Sequence, residues 1–154
     1  MRTSTFKSAK FSNKRKQIYI SYTSGKQVSI HYGHLGIKQN IKKLWIDKET
    51  RGKSIGIILD NGTIDYMPYD QPLAITKDPE YMLQNHIEHI IAQIKEVLEK
   101  KKISKKYLAQ QLATSDNQIQ RLLNPNILNK NLTQLYKVAS LLKLEFEIYL
   151  KSAA

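Results

Sequence analysis

The hydrophobic period changes once along this chain of 154 residues, and that change limits the folds open to it. Between Gln17 and Met67 apolar and polar residues alternate, the period of a half-buried strand. From Glu80 onward the apolar residues fall three and four apart, the stripe of an amphipathic helix. A chain with both patterns belongs to the α+β class, here a small antiparallel β domain followed by an all-helical one.

The alternating part divides at its turn residues. Residues 17–22 and 27–32 flank Thr23-Ser24-Gly25-Lys26, a hairpin signal. Residues 41–47 and 54–59 repeat the pattern, and Asp60-Asn61-Gly62 leads into residues 63–67, where Asn-Gly suits the positive φ of a tight turn. About five short strands are expected. Pro68, Pro72 and Pro79 then mark a connection, because proline neither donates to a ladder nor continues a helix. Beyond it Leu83, Ile87, Ile90, Ile91, Ile94, Val97 and Leu98 share one helical face, and Lys100, Lys101 and Lys102 complement the negative end of that helix. Three more helices are expected over residues 105–112, 116–123 and 132–142, and the alternation of Phe146, Ile148 and Leu150 reads as a closing strand over 145–150.

Charge separates partners. There are 25 Lys and Arg against 13 Asp and Glu, a formal charge of +12, with 14 basic against 6 acidic side chains in residues 1–79 and 11 against 7 in residues 80–154. Such a balance favours a polyanion, since each neutralised phosphate releases condensed counterions. Arg2, Lys7, Lys10, Lys14, Arg15 and Lys16 make residues 1–16 an expected basic flexible tail, ahead of a β-rich domain over 17–79 and a helical domain over 80–154. The absence of cysteine excludes disulfides, thiolate metal sites and thiol nucleophiles, and no apolar run reaches the length of a membrane span. A cytoplasmic protein with no membrane association is the expectation.

The most informative stretch is ISKKYLAQQLATSDNQIQRLLNP, residues 103–125. Ser104 suits an N-cap, Leu108, Ala109 and Leu112 make an inward face on a short helix, and a break over residues 113–116 follows. Ser115 suits the next cap, with Ile119, Leu122 and Leu123 inward and Asp116, Asn117, Gln120 and Arg121 outward. A helix enters the major groove only when a second helix braces it at a steep angle, and close crossing needs a small residue facing a branched one, roles open to Ala109 and Ile119. Asn and Gln engage adenine through two hydrogen bonds, Arg does the same with guanine, and Ser, Asn and Arg donate to phosphates.

These motifs resemble the Cro and phage-repressor class of helix-turn-helix proteins, which includes many antitoxins of bacterial toxin–antitoxin operons. The likeness spans residues 94–150 and rests on Leu108-Ala109-x-x-Leu112, Ile119-x-x-Leu122-Leu123 and Leu135-x-x-Val138-Ala139-x-x-Leu142. It implies a DNA-binding transcriptional regulator, a repressor or autoregulating antitoxin, in which Ser115, Asp116, Asn117, Gln120 and Arg121 start the reading helix. Asn117, Gln120 and Arg121 are expected at bases, with Ser115, Lys105 and Lys106 nearer phosphates. The family's turn usually carries glycine, often left-handed, where this chain has Ala113, and a residue with a side chain there costs roughly 1 kcal/mol.

Residues 43–82 are similar to a small β domain that accompanies toxin–antitoxin modules, which implies a toxin or another regulator as partner. Operators of this class are read as paired half-sites, so a homodimer on double-stranded DNA is expected. His31-x-x-His34 and His86-x-x-His89 have metal-ligand spacing but no third ligand in the pattern, and no metal or other cofactor is expected. Phosphate loops and nucleophile elbows are missing, so catalysis is not expected. Alternative readings are a non-catalytic protein-interaction module, an RNA-binding module using the basic tail and strand tyrosines, and a metal-dependent enzyme, which predicts bound metal.

Overall fold

A computed structural model describes residues 4–152. The chain is α+β, with two antiparallel three-stranded sheets and five α-helices among the described residues. It falls into two units, one running to Met82 and one from Leu83.

In the first unit β1 (Phe6–Ser12), β2 (Gln17–Tyr22) and β3 (Gln27–His31) form one sheet in that order. A 3₁₀ turn (Tyr32–Leu35) leads to the second sheet, β4 (Ile41–Ile46), β5 (Ser54–Leu59) and β6 (Ile64–Pro68), followed by α1 (Gln71–Ile75). The alternation sends Ile18, Ile20 and Tyr22 of β2 inward, where they share a core with Ile55 and Ile57 of β5. In register Ile55 lies between Ile46 and Met67, so that row of the second sheet also sends apolar groups to the core. Gly56 is required on the opposite face, because a Cβ there would fall within the indole of Trp45.

Asn13 ties the sheets together. Its Nδ2 donates to the carbonyl of Ile41 at 2.9 Å, while its Oδ1 accepts from the Ile41 N–H at 2.8 Å and from the Tyr32 hydroxyl at 2.7 Å. The start of β4 is thereby held to the β1–β2 turn with its polar groups satisfied.

Two sequence expectations for this unit need correction. Residues 6–12 are a strand and not part of a flexible basic tail: Lys7 and Lys10 stay exposed while Phe6 is buried and Ala9 and Phe11 pack against the core. The charges were conspicuous in the sequence and the apolar residues between them were not. Phe6 N–H also donates to the Gly52 carbonyl at 2.8 Å, a contact with the turn between β4 and β5 that no local pattern announces. Residues 71–75, expected as loop, are a helix, and its proline, Pro72, stands in the first turn, where no intrahelical donor is missed. Residues 1–3 of the expected tail lie outside the described residues.

α2 (Pro79–Lys100) presents Ile87, Ile91, Ile94 and Leu98 to the second core, with α3 (Lys105–Gln111), α4 (Asp116–Leu122) and α5 (Leu132–Leu141) supplying the rest. Residues 145–150, expected as a strand, are not one, because the described residues of the second unit offer no strand to pair with them.

Candidate nucleic-acid interface

Residues 104–131 are organised by three side-chain caps. Ser104 Oγ accepts from Tyr107 N–H at 3.0 Å, Ser115 Oγ from Gln118 N–H at 3.2 Å, and Asn131 Oδ1 from Gln134 N–H at 3.1 Å, so α3, α4 and α5 each begin on a side chain that satisfies an orphan donor. Capping matters here because α3 and α4 are only seven residues long and gain little from cooperativity alone.

The turn between them has a defined stop. Thr114 N–H donates to the Ala109 carbonyl at 2.9 Å and Ala113 N–H to that of Gln110 at 3.2 Å, the paired bonds of a Schellman ending, with Ala113 left-handed at φ 50°. Glycine is the usual occupant of that position, and this chain repeatedly does without it. Lys102 and Lys143 are also left-handed, at φ 53° and 58°, just after α2 and α5. At those two positions the lysine charge lies at the negative end of its helix, which offsets part of the strain.

Inside the turn, Leu108 and Ala109 of α3 and Ile119 and Leu122 of α4 are buried in one cluster with Ile94 and Leu98 of α2 and Leu135 and Val138 of α5. Every residue expected at the interface lies on the other side. Ser115, Asp116, Asn117, Gln120 and Arg121 are exposed along α4, and Asn117, Gln120 and Arg121, at spacings of three and four, share one helical face. Gln118, absent from the sequence expectation, is exposed beside them. Lys105 and Lys106 are exposed on the first turn of α3. That turn holds no acid, so both ammonium groups sit at the positive end of the helix dipole, where a cation is unfavourable without an external anion. Asp116, by contrast, is at the favourable end of α4, which gives it a local role in helix start.

Sequence reasoning missed Lys130. It is half-buried in the loop before α5 and donates to the carbonyls of Arg121 at 2.7 Å and Asn124 at 2.6 Å, closing the end of α4. Burial, with the charges of Arg121 and Lys95 adding to it, pushes its ammonium below the ordinary lysine range. Lys130 also lines a polar groove of about 430 Å³ with Thr114, Gln118, Arg121, Asn131 and Gln134. No signal in the sequence separates Lys130 from the other lysines, since its role depends on where the loop returns.

The first histidine pair caps a turn. His31 Nδ1 accepts from Gly33 N–H at 3.0 Å and His34 Nδ1 from His31 N–H at 3.3 Å, capping the 3₁₀ turn. Among the described residues no three His, Asp or Glu side chains gather as metal ligands. No described helix is long and apolar enough to cross a membrane. Comparison with protein-family models, curated proteins and solved structures finds no match.

Proposed function

We propose that residues 104–123 form a helix-turn-helix unit that reads double-stranded DNA by sequence, and that the chain is a dimeric transcriptional regulator, a repressor or an autoregulating antitoxin. One observation carries the reading: the α3–α4 turn closes on a left-handed Ala113 while every apolar side chain of α4 faces the core and every donor faces out. A rigid brace behind an exposed polar helix is what major-groove entry requires. The unfavourable placement of Lys105 and Lys106 at the α3 N-terminus is relieved by a phosphate, which supports the same reading.

In this scheme Asn117, Gln120 and Arg121 contact base edges, and Ser115, Lys105 and Lys106 contact the backbone. Asp116 starts α4 and accepts from a base amino group where cytosine is presented. The strand-rich unit is the place for a toxin or other regulatory partner, and the reading assigns neither catalysis nor a cofactor to the chain.

Selection from a random duplex library at defined salt tests it. The expected result is a motif of two spaced half-sites. Equal retention of all duplexes, or preference for RNA over duplex DNA, overturns the reading.

A further inference from the structure

Ahead of its first acid, Asp47, the sequence carries ten Lys and Arg. The fold gathers six of them at one end of the first unit. Lys14, Arg15 and Lys16 come from the β1–β2 turn, and Lys38, Lys42 and Lys43 from the approach to β4 and its first residues. Side-chain contacts hold the two stretches together. Asn13 binds both backbone groups of Ile41, and Lys16 Nζ donates to Asn40 Oδ1 at 2.8 Å. Tyr32 N–H donates to the Lys16 carbonyl at 2.8 Å, which fixes the turn against the end of β3. In β4 the register shifts between Ile41 and Lys43, a bulge that leaves Lys42 and Lys43 both exposed where strict alternation would turn one inward.

Among the described residues none of the six lies within ion-pair distance of a carboxylate. Asp60, whose N–H donates to the Asn40 carbonyl at 2.9 Å, is the one acid described at this end. The opposite end is balanced, with Lys26 held by Asp78 and Glu80, and Lys48, Arg51 and Lys53 set beside Asp47 and Glu49. Cations fixed together without counter-charges repel one another, and a polyanion relieves that repulsion. The surroundings select which polyanion. Over residues 12–17 and 31–43 no Phe, Tyr or Trp ring and no large aliphatic side chain is exposed. Single strands stack on such rings, and anionic bilayers take up such apolar groups. A duplex backbone needs only cations and neutral donors, and Asn40 and His34 stand exposed at the same end. We propose that this end of the first unit binds the phosphate backbone of duplex DNA without regard to sequence. The contact lies in the first unit alone, and α4 plays no part in it.

Lysine acetylation of the full chain, read by mass spectrometry with and without a duplex of scrambled sequence at low salt, locates the contact. Lys14, Lys38 and Lys42 should be protected severalfold by the duplex, and Lys48 and Lys53 should not change. Lys14, Arg15, Lys38 and Lys42 are all exposed, so changing the four together to Gln leaves the core intact. That variant should bind the same duplex at least tenfold more weakly, with a salt slope lower by about three to four. Lys48→Gln and Lys53→Gln together should leave both quantities as they are. Because the duplex carries no operator, a failure of sequence reading by α4 does not alter these expectations. Equal protection at both ends, an unchanged salt slope in the fourfold variant, or an equal loss in the Lys48 and Lys53 variant overturns the proposal. So does tighter binding to phosphatidylserine vesicles or to single-stranded RNA than to the duplex.

Discussion

The ammonium of Lys130 donates to the carbonyl oxygen of Arg121 at 2.7 Å, nine residues back along the chain. A loop cation therefore closes the end of the helix whose exposed face carries Arg121. Lys130→Met keeps the aliphatic stem and removes both carbonyl contacts. A loss of about 1 kcal/mol is expected, since hydrogen bonds from a charged donor exceed neutral ones but the variant no longer has an ammonium to desolvate on folding. Thermal unfolding checks the stability, and operator titration should show weaker binding because the Arg121 end of α4 frays. Lys130 has a folded pKa below its unfolded one. Wild-type stability should accordingly gain from this residue as pH rises from the lowered value toward about 10.4.

Gln120→Ala and Arg121→Ala should each cost about 1–3 kcal/mol of specific binding and relax preference at one base pair of each half-site. Lys105→Ala and Lys106→Ala should weaken all duplexes alike and reduce the salt slope by about one apiece. Affinities of the selected operator and of a scrambled duplex at several salt concentrations separate the two classes. Unchanged preference in both the Gln120 and Arg121 variants removes α4 as the reading helix.

Ala113→Gly tests the turn. Ala113 is exposed, so no packing is lost, and glycine relieves a left-handed strain of about 1 kcal/mol while adding some freedom to the unfolded chain. A net gain of about 0.5 kcal/mol in urea unfolding is expected. Ala113→Val, branched at Cβ, should lose more than 1 kcal/mol.

Acid should weaken the first unit through Asp78. Lys26 Nζ lies 2.8 and 2.7 Å from its two carboxylate oxygens and 3.1 Å from Glu80. Burial pushes the Asp78 carboxyl up, but hydrogen bonds from Lys26 and from Tyr81 N–H outweigh it and hold the group below the ordinary range. A depressed folded pKa gives stability that is present above about pH 4 and lost as pH falls through the lowered value. Lys26→Met should therefore cost about 1–2 kcal/mol near neutral pH. Its difference from wild type should shrink as urea unfolding is repeated from pH 4 downward.

Much of the fold is legible in local patterns. Residues 17–22, 27–31, 54–59, 105–111 and 132–141 form elements where the apolar period places them, because a strand or helix that must bury one face repeats its own geometry in the sequence. Ser104, Ser115 and Asn131 mark helix starts for the same local reason, since a cap contacts donors two or three residues away. What escaped was non-local. The β1 strand was hidden by its lysines, α1 by its proline, and the closing strand was expected where the described residues of the unit offer no partner strand.

The sequence by itself determined the period of most elements, the site of the α3–α4 turn and the polar face of α4, because those follow from neighbours within one helical turn. Only the tertiary structure decided that Asn13 bridges to Ile41 and that Lys130, among 25 basic residues, closes α4. Each of those depends on where distant backbone polar groups arrive, and a buried carbonyl recruits whichever donor the fold brings to it.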